Sequence, residues 1–195
     1  ALIGALNSLA QLALKATMPG VPDFYQGTEF WDLSLVDPDN RRPIDFAARE
    51  SALASIGEAP DWPALARAWP DGRIKLALTR TLLALRSELA DLFTNGAYRP
   101  LEVVGPDRRE IVAFARLRER DAVIVVTGRF FGRATQEGRR WPPSQAWNAS
   151  VLAEGFSGIR TVLPAGKAVT GPRASNAAGF EVEAYANTNT AASTR

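Results

Sequence analysis

The residues best suited to chemistry lie in one short run, Asp37-Pro38-Asp39-Asn40-Arg41-Arg42-Pro43. Its carboxylate, amide and guanidinium groups form strong hydrogen bonds, and such groups match the many hydroxyls of a sugar. The two prolines stiffen the loop and reduce the entropy lost when a ligand binds. A purely structural alternative, a rigid loop held by its own Asp–Arg pairs, is slightly favoured by residue types alone.

Residues 18–32 place further acidic and aromatic side chains before this run. Asp23, Glu29 and Asp32 could be read as catalytic carboxylates. Asp23 and Asp32 are better interpreted as turn residues, whereas Glu29 fits the wall of a site. Among the aromatic residues Tyr25 is predicted to face a ligand, because Gly27 leaves space beside it; the others are predicted to be core. The predicted substrate-binding set is Tyr25, Glu29, Asp37, Asn40 and Arg41.

The composition of the 195 residues excludes several functions. Neither Cys nor His is present, so disulfides, Ser-His-Asp catalysis and most zinc sites are excluded, and no metal or cofactor is predicted. The balance of 23 basic and 21 acidic residues argues against nucleic-acid binding. Polar residues interrupt the apolar stretch 1–16, which excludes a membrane span. The absence of cysteine and of a visible secretory signal favours a cytoplasmic location.

The first 45 residues follow the pattern of one α/β barrel unit. Asn7, Gln11 and Lys15 form a narrow polar stripe, which predicts a helix over 1–16 with a wide apolar face. A short strand is predicted over Val21–Tyr25, followed by the long polar loop. Helix, short strand and loop are typical of barrel folds that build sites at the ends of strands. One unit cannot close a barrel, so the other strands are expected upstream, in a longer protein.

Aspartate residues predict three helix starts in the next segment, because their side chains accept hydrogen bonds from free backbone N–H groups. The predicted helices run from Asp45 through Ile56, from Asp61 to Ala68 and from Asp71 to about Phe93. In the last of these, leucines recur at spacings of four and three, which is typical of one buried face.

After Gly96 the periodicity changes from that of helices to that of strands. The predicted strands are Tyr98–Val104, Ile111–Leu117, Ala122–Thr127, Gly158–Leu163, Lys167–Thr170 and Phe180–Tyr185, with an irregular segment over 129–150. The predicted fold is α+β: the end of an α/β (TIM) barrel over 1–45, a helical segment over 46–96 and a small antiparallel β-sandwich over 97–185. Residues 186–195 have no apolar pattern and are predicted to be disordered. The β domain could bind glycan through Trp141 and Trp147, but a structural cap is favoured.

The run Pro19-Gly20-Val21-Pro22-Asp23-Phe24-Tyr25-Gln26-Gly27-Thr28-Glu29 resembles the α-amylase superfamily of glycoside hydrolases and transglycosylases. There the eighth barrel strand carries Pro-Gly-x-Pro-x-x-Tyr-x-Gly-x-Glu. The fuller string through Asp45 is closer still to an intramolecular transglucosylase of that superfamily, and a weaker match covers 98–101 and 112–116. The specific resemblance covers about a quarter of the chain.

The resemblance implies a retaining mechanism with an Asp nucleophile and a Glu acid/base, which would lie on earlier strands outside this chain. In that subfamily the reducing-end glucose of a maltooligosaccharide is cleaved, turned and rejoined, converting an α-1,4 bond to an α,α-1,1 bond while water is excluded. The Asp-Pro-Asp-Asn-Arg spacing also resembles cyclodextrin glucanotransferases, which implies sugar contacts for Asp37 and Arg41. The implied partners are a maltooligosaccharide substrate and the upstream catalytic barrel; the chain alone is expected to be inactive. Another α-glucan hydrolase or transglycosylase of the superfamily is the alternative.

Overall fold

Helices precede strands along the chain. The computed structural model describes residues 1–34, 37, 41–143, 146–156, 160–161, 179–183 and 190–194. Within these residues the helices are α1 Leu2–Thr17, α2 Phe46–Ile56, α3 Trp62–Arg67, α4 Arg73–Glu88 and α5 Ala90–Asn95. The strands are β1 Ala97–Pro100, β2 Glu102–Val104, β3 Ile111–Arg118, β4 Asp121–Gly128, β5 Ser150–Glu154, β6 Arg160–Thr161, β7 Gly179–Glu183 and β8 Thr190–Thr194. The fold is therefore α+β.

The described strands form two antiparallel sheets. The larger has the order β1-β3-β4-β8-β6 and the smaller the order β2-β5-β7. Side chains of β3 and β4 alternate between the two faces of the larger sheet. One face packs with β5 and the start of α1, and it includes Ala113, Ala115, Ile124 and Val126. The other face packs with the helices, and it includes Phe114, Val123 and Val125.

Helix α1 lies between the two parts of the core. Leu2 and Leu6 belong to the cluster formed with the strands, whereas Leu9 and Leu12 belong to the cluster formed with α4. All four leucines are buried, as the wide apolar face predicted. The division of the chain at residues 45 and 96 stays a prediction.

Two of the predicted helix caps form as expected. The Asp45 side chain accepts a hydrogen bond from the Ala48 backbone N–H at 2.8 Å, and Asp61 accepts one from Ala64 at 2.9 Å. The third helix differs in two respects. Gly72, with φ 80°, occupies its cap position, and the helix breaks at Leu89 instead of continuing to Phe93. The break gives α5 its own C-terminal end, whose carbonyl groups bind a buried arginine of β3.

The predicted strand over Val21–Tyr25 is wrong for this structure. Strands need a neighbour for their ladder of hydrogen bonds, and no described strand pairs with these residues. The carbonyl of Asp23 instead accepts from the Lys15 ammonium at 2.8 Å, and that of Tyr25 accepts from the Thr28 backbone N–H at 3.3 Å.

The predicted strand Tyr98–Val104 is two strands that belong to different sheets. β1 pairs with β3, and β2 pairs with β5. Pro100 ends β1, since proline has no N–H to donate. Leu101, the residue between β1 and β2, donates its N–H to the Ala113 carbonyl at 3.1 Å. The switch connects the two sheets through a single residue.

The C-terminal third differs most from the sequence-based expectation. β5 begins at Ser150 and was not predicted, although Val151 and Ala153 alternate as buried residues. The tail predicted to be disordered over 186–195 includes β8, which pairs with β4 from Thr190 to Thr194. Composition could not exclude this, because ladder pairing uses backbone groups that every non-proline residue carries. The predicted strand Lys167–Thr170 lies outside the described residues.

Gly128, at the end of β4, lies against the ring of Trp147. A Cβ at this position would lie 2.8 Å from Trp147 Cζ2, and Trp147 is only 7% exposed. We expect Gly128→Ala to lower the free energy of unfolding by at least about 1 kcal/mol, because the ring must move within a packed core. Urea unfolding measures the loss. Gly4→Ala in α1 is the control, since a Cβ there meets no atom within 4 Å; an equal loss in both variants would contradict this packing.

Carboxylates with lowered pKa values give the fold a dependence on acid pH, and Asp91 and Asp107 are two of them. Hydrogen bonds from Asn95 and then Arg118 lower the pKa of Asp91 below 3.8, and the Asn148 backbone N–H, with Arg133, lowers that of Asp107. A carboxylate with a lowered folded pKa binds fewer protons when folded than when unfolded. Its stabilisation is therefore present above pH 3.8 and is lost as the pH falls through the folded pKa.

We accordingly expect a lower urea midpoint at pH 3 than at pH 6. Asp107→Asn should reduce the difference between the two midpoints, because its amide does not titrate. An unchanged difference in this variant would show that Asp107 does not contribute to the acid sensitivity.

Candidate functional site

An open cavity of about 520 Å³ lies between α1, α4 and the segment 23–29. Helix α1 contributes polar side chains on its exposed stripe, and α4 contributes one lysine, one threonine and one leucine. The lining residues are Ser8, Gln11, Leu12, Lys15, Asp23, Phe24, Tyr25, Thr28, Glu29, Lys75, Thr79 and Leu83. Hydroxyl, amide and charged groups beside aromatic and aliphatic surface make this cavity suited to a polyhydroxylated ligand.

Two of the five predicted site residues line this cavity. Tyr25 is 45% exposed, so its ring is available to a ligand. Glu29 is half-buried, and its Oε2 accepts a hydrogen bond from Arg49 Nε at 2.8 Å. Its Oε1 accepts from the backbone N–H of Gly27 at 3.3 Å. The Glu29 carboxylate therefore already has protein partners at both oxygens.

Two lysines border the cavity from opposite helices. Lys15 of α1 donates to the Asp23 carbonyl at 2.8 Å and lies 4.5 Å from the centre of the Phe24 ring. Lys75 of α4 donates to the Phe30 carbonyl at 3.1 Å. Both ammonium groups thus fix the backbone of the loop that lines the cavity.

The surroundings of Lys75 shift its pKa. Burial, and secondly the nearby charge of Lys15, lower the pKa of Lys75, while Asp32 and Glu29 act in the opposite direction. The sequence analysis missed Lys75. Its place in the leucine pattern of α4 indicates a helix, but only the packing of α4 against the loop brings its side chain to the cavity.

Asp37 and Arg41 lie apart from the residues that line the cavity. Arg41 Nε lies 2.6 Å from Asp37 Oδ1, and Arg41 Nη2 donates to Asp37 Oδ2 at 2.9 Å. The Arg41 side chain is 73% exposed and that of Asp37 57% exposed. This is the Asp–Arg pair that the structural interpretation of the loop predicted, and it leaves much of both side chains accessible to a ligand. Asn40 lies outside the described residues.

The other two candidate carboxylates, Asp32 and Asp23, differ in the hydrogen bonds that they form. Asp32 Oδ1 accepts a hydrogen bond from the Ser34 backbone N–H at 2.8 Å, and hydrogen bonds to Ser34 are the main cause of its lowered pKa. This agrees with its interpretation as a turn residue. Asp23 lines the cavity, and its backbone carbonyl accepts a hydrogen bond from the Lys15 ammonium.

The two tryptophans considered as a glycan-binding surface are buried or half-buried. Trp147 is buried against Phe131, with ring centres 5.8 Å apart. Trp141 is half-buried and packs against both parts of the core. Neither geometry provides an open platform for a sugar ring.

None of the helices in the described residues is long and apolar enough to cross a membrane.

Comparisons with known proteins connect this geometry to a family. No protein-family model matches the chain. Two curated proteins of Mycobacterium tuberculosis, strains CDC 1551 / Oshkosh and ATCC 25618 / H37Rv, are provisionally named maltooligosyl trehalose synthase. Each is 40% identical over 146 residues, which are 75% of this chain and 16% of the relative. The structure of maltooligosyltrehalose synthase from Arthrobacter ramosus is 28% identical over 97% of this chain, with a TM-score of 0.62.

The chain is a homologue of the maltooligosyltrehalose synthases. Another solved structure, a crystal structure described as a maltooligosyl trehalose synthase, matches 98% of the chain at 27% identity and a TM-score of 0.66. The resemblance predicted from the motif is thereby confirmed. The chain spans 16% of its curated relatives and 22% of the solved maltooligosyltrehalose synthases. A debranching enzyme from Nostoc punctiforme, 17% identical with a TM-score of 0.59, shares the fold.

Proposed function

We propose that this chain is the C-terminal part of a maltooligosyltrehalose synthase. The observation that carries the proposal is the 40% identity over 146 residues to curated relatives of that name. The intact protein, meaning the longer protein that would contain this chain, converts the reducing-end α-1,4 linkage of a maltooligosaccharide to an α,α-1,1 linkage. It is thus an isomerase that acts by intramolecular transglucosylation in trehalose biosynthesis, in the cytoplasm.

The proposed mechanism divides the work between two parts of the intact protein. By resemblance to the α-amylase superfamily, an Asp nucleophile and a Glu acid/base on an upstream barrel break and form the glycosidic bonds. Residues 1–45 would complete that barrel, and the strands would form a β-sandwich that caps it. The chain alone would then be inactive, because bond cleavage needs carboxylates that it does not carry.

The contribution of this chain is to hold sugar hydroxyls. Asp37 and Arg41 form a pair that is preorganised yet largely exposed, so each can still accept or donate hydrogen bonds. Tyr25 offers an exposed ring at the cavity, and Asn40 lies between Asp37 and Arg41 in the sequence. Glu29, the other predicted residue at the cavity wall, has protein partners at both oxygens and supports the loop. Fixed partners reduce the entropy lost when an oligosaccharide binds.

The reaction can be tested by incubating the intact protein with maltohexaose and following reducing ends and chain length together. A synthase should remove reducing ends without shortening the chain, since the cleaved glucose is rejoined through its anomeric hydroxyl. Release of glucose or maltose would instead indicate a hydrolase or another transglycosylase of the superfamily. This chain on its own should leave the sugar unchanged, and turnover by it would contradict the division of work.

A further inference from the structure

One arginine of α2 connects two residues of the loop that lines the cavity with the start of its own helix. Arg49 Nε donates to Glu29 Oε2 at 2.8 Å, and Arg49 Nη2 donates to the Gly27 carbonyl at 2.7 Å. Its Nη1 donates to the Asp45 carbonyl at 3.0 Å, within the cap of its own helix. Only 18% of the Arg49 side chain is exposed. These bonds use the planar fork of the guanidinium, whose geometry lysine cannot reproduce.

The loop is fixed at its next residues as well. The guanidinium carbon of Arg49 lies 5.1 Å from the centre of the Phe30 ring, and the Phe30 carbonyl accepts from Lys75. Trp31 Nε1 donates to the Trp69 carbonyl at 2.7 Å. Residues 27–31 are therefore attached to α2, to α4 and to the turn before α4.

Gly27 shows how closely this segment fits. Its φ of 90° is a conformation that glycine adopts readily and other residues rarely. A Cβ at this position would lie 2.9 Å from Ile44 Cδ1. The attached segment precedes Asp37 by only six residues, so its position limits where the Asp37–Arg41 pair can lie.

We propose that Arg49 is a positioning residue for residues 27–31 and, through them, for the Asp37–Arg41 pair. Glu29 acts through Arg49 and not by binding sugar. Both Glu29 oxygens have protein partners, and the Glu29 side chain is only 27% exposed, against 57% for Asp37, which also pairs with an arginine. Loss of either member removes one attachment of residues 27–31 and loosens them, which disperses the positions of Asp37 and Arg41. Binding must then order the loop, which raises KM, while the upstream carboxylates keep their geometry and kcat. The kinetic part of this inference rests on the proposed function.

The kinetic test compares Glu29→Gln, Arg49→Gln and the double variant of the intact protein with maltohexaose as substrate. Each single variant should raise KM roughly fivefold with kcat little changed, and the double variant should be no worse than the worse single variant. Arg49→Lys should not restore KM, because it keeps the charge but loses the fork. Direct sugar binding by Glu29 predicts a different result, in which only Glu29→Gln raises KM or the two effects multiply. Either outcome would overturn the proposal.

A second measurement does not depend on activity. Amide hydrogen exchange of this chain should become at least about tenfold faster at residues 27–31 in Arg49→Gln, while β3 and β4 keep their protection. Arg118→Gln is the matched control: it breaks an exposed ion pair between β3 and Asp91 of α5, and exchange at 27–31 should not change. Unchanged exchange in Arg49→Gln would refute the anchoring role. If the wild-type intact protein converts no maltohexaose, the proposed function fails, and this exchange measurement still decides whether Arg49 anchors the loop.

Discussion

Arg116→Met is expected to lower the free energy of unfolding by about 3–5 kcal/mol, because it removes a charged group that satisfies buried carbonyls. Arg116 is 1% exposed although it lies in the middle of β3. Its guanidinium donates to four carbonyls at the ends of two helices, those of Thr17, Leu92, Phe93 and Gly96, at 2.9–3.3 Å. Methionine fills similar space but leaves these carbonyls without a donor.

Urea unfolding of Arg116→Met, compared with Arg118→Met, measures this effect. Arg118 lies two residues along the same strand and pairs with Asp91 at the surface, so its loss should change stability little. Burial, and secondly the charge of Arg86, lower the pKa of Arg116. Arg116→Lys should also be destabilised, because one ammonium cannot reach the ends of both helices. Equal stability of the Arg116→Met and Arg118→Met variants would contradict the role of Arg116 as the link between α1, α5 and β3.

Arg41→Ala in the intact protein is expected to weaken transition-state binding by about 1.5–3 kcal/mol, which is the value of a hydrogen bond to a charged group. If the contact is equally strong in the ground state, the loss appears mostly in KM. The same substitution should leave the urea midpoint of this chain unchanged, because the Arg41–Asp37 pair is exposed. A kinetic loss without a stability loss therefore distinguishes sugar binding from a structural role.

Arg67→Ala is the control for the loss of one positive charge, since Arg67 is exposed on α3, away from the loop. It should change neither KM nor the urea midpoint. Unchanged KM and kcat in Arg41→Ala would reduce the Asp37–Arg41 pair to the structural role that residue types alone slightly favour.

Local sequence rules predicted the elements that depend on local interactions. The polar stripe of α1 and the caps at Asp45 and Asp61 are decided within one or two helical turns. The strands β3 and β4 follow from the alternation of side chains on the two faces of one sheet. Each of these predictions uses contacts between residues that are close in sequence.

The remaining features depend on contacts between distant parts of the chain. The break at Leu89 and the strand switch after Pro100 place backbone groups against partners far along the sequence. Arg116 was noted only as part of a family resemblance, because nothing in its neighbours indicates that it binds the ends of two helices. β8 was missed because its partner is a strand more than sixty residues earlier.

The candidate site shows the same division. Types and spacing identified Tyr25, Glu29 and the Asp37–Arg41 pair as candidates, and the structure brings the first two into one cavity and pairs the last two with each other. Lys75 and Arg49 were not identified. Both lie on helices that follow the loop in sequence, and only the packing of α2 and α4 brings them to it.

The central claim, intramolecular transfer, is tested most directly by a crossover experiment. The intact protein is incubated with equal amounts of unlabelled maltohexaose and maltohexaose labelled uniformly with ¹³C. The molecular mass of the non-reducing product is then measured by mass spectrometry. Rejoining of each glucose to its own chain predicts hexasaccharides of two masses only, one fully labelled and one unlabelled. Hexasaccharides of mixed label, or shorter sugars that still carry reducing ends, would contradict it.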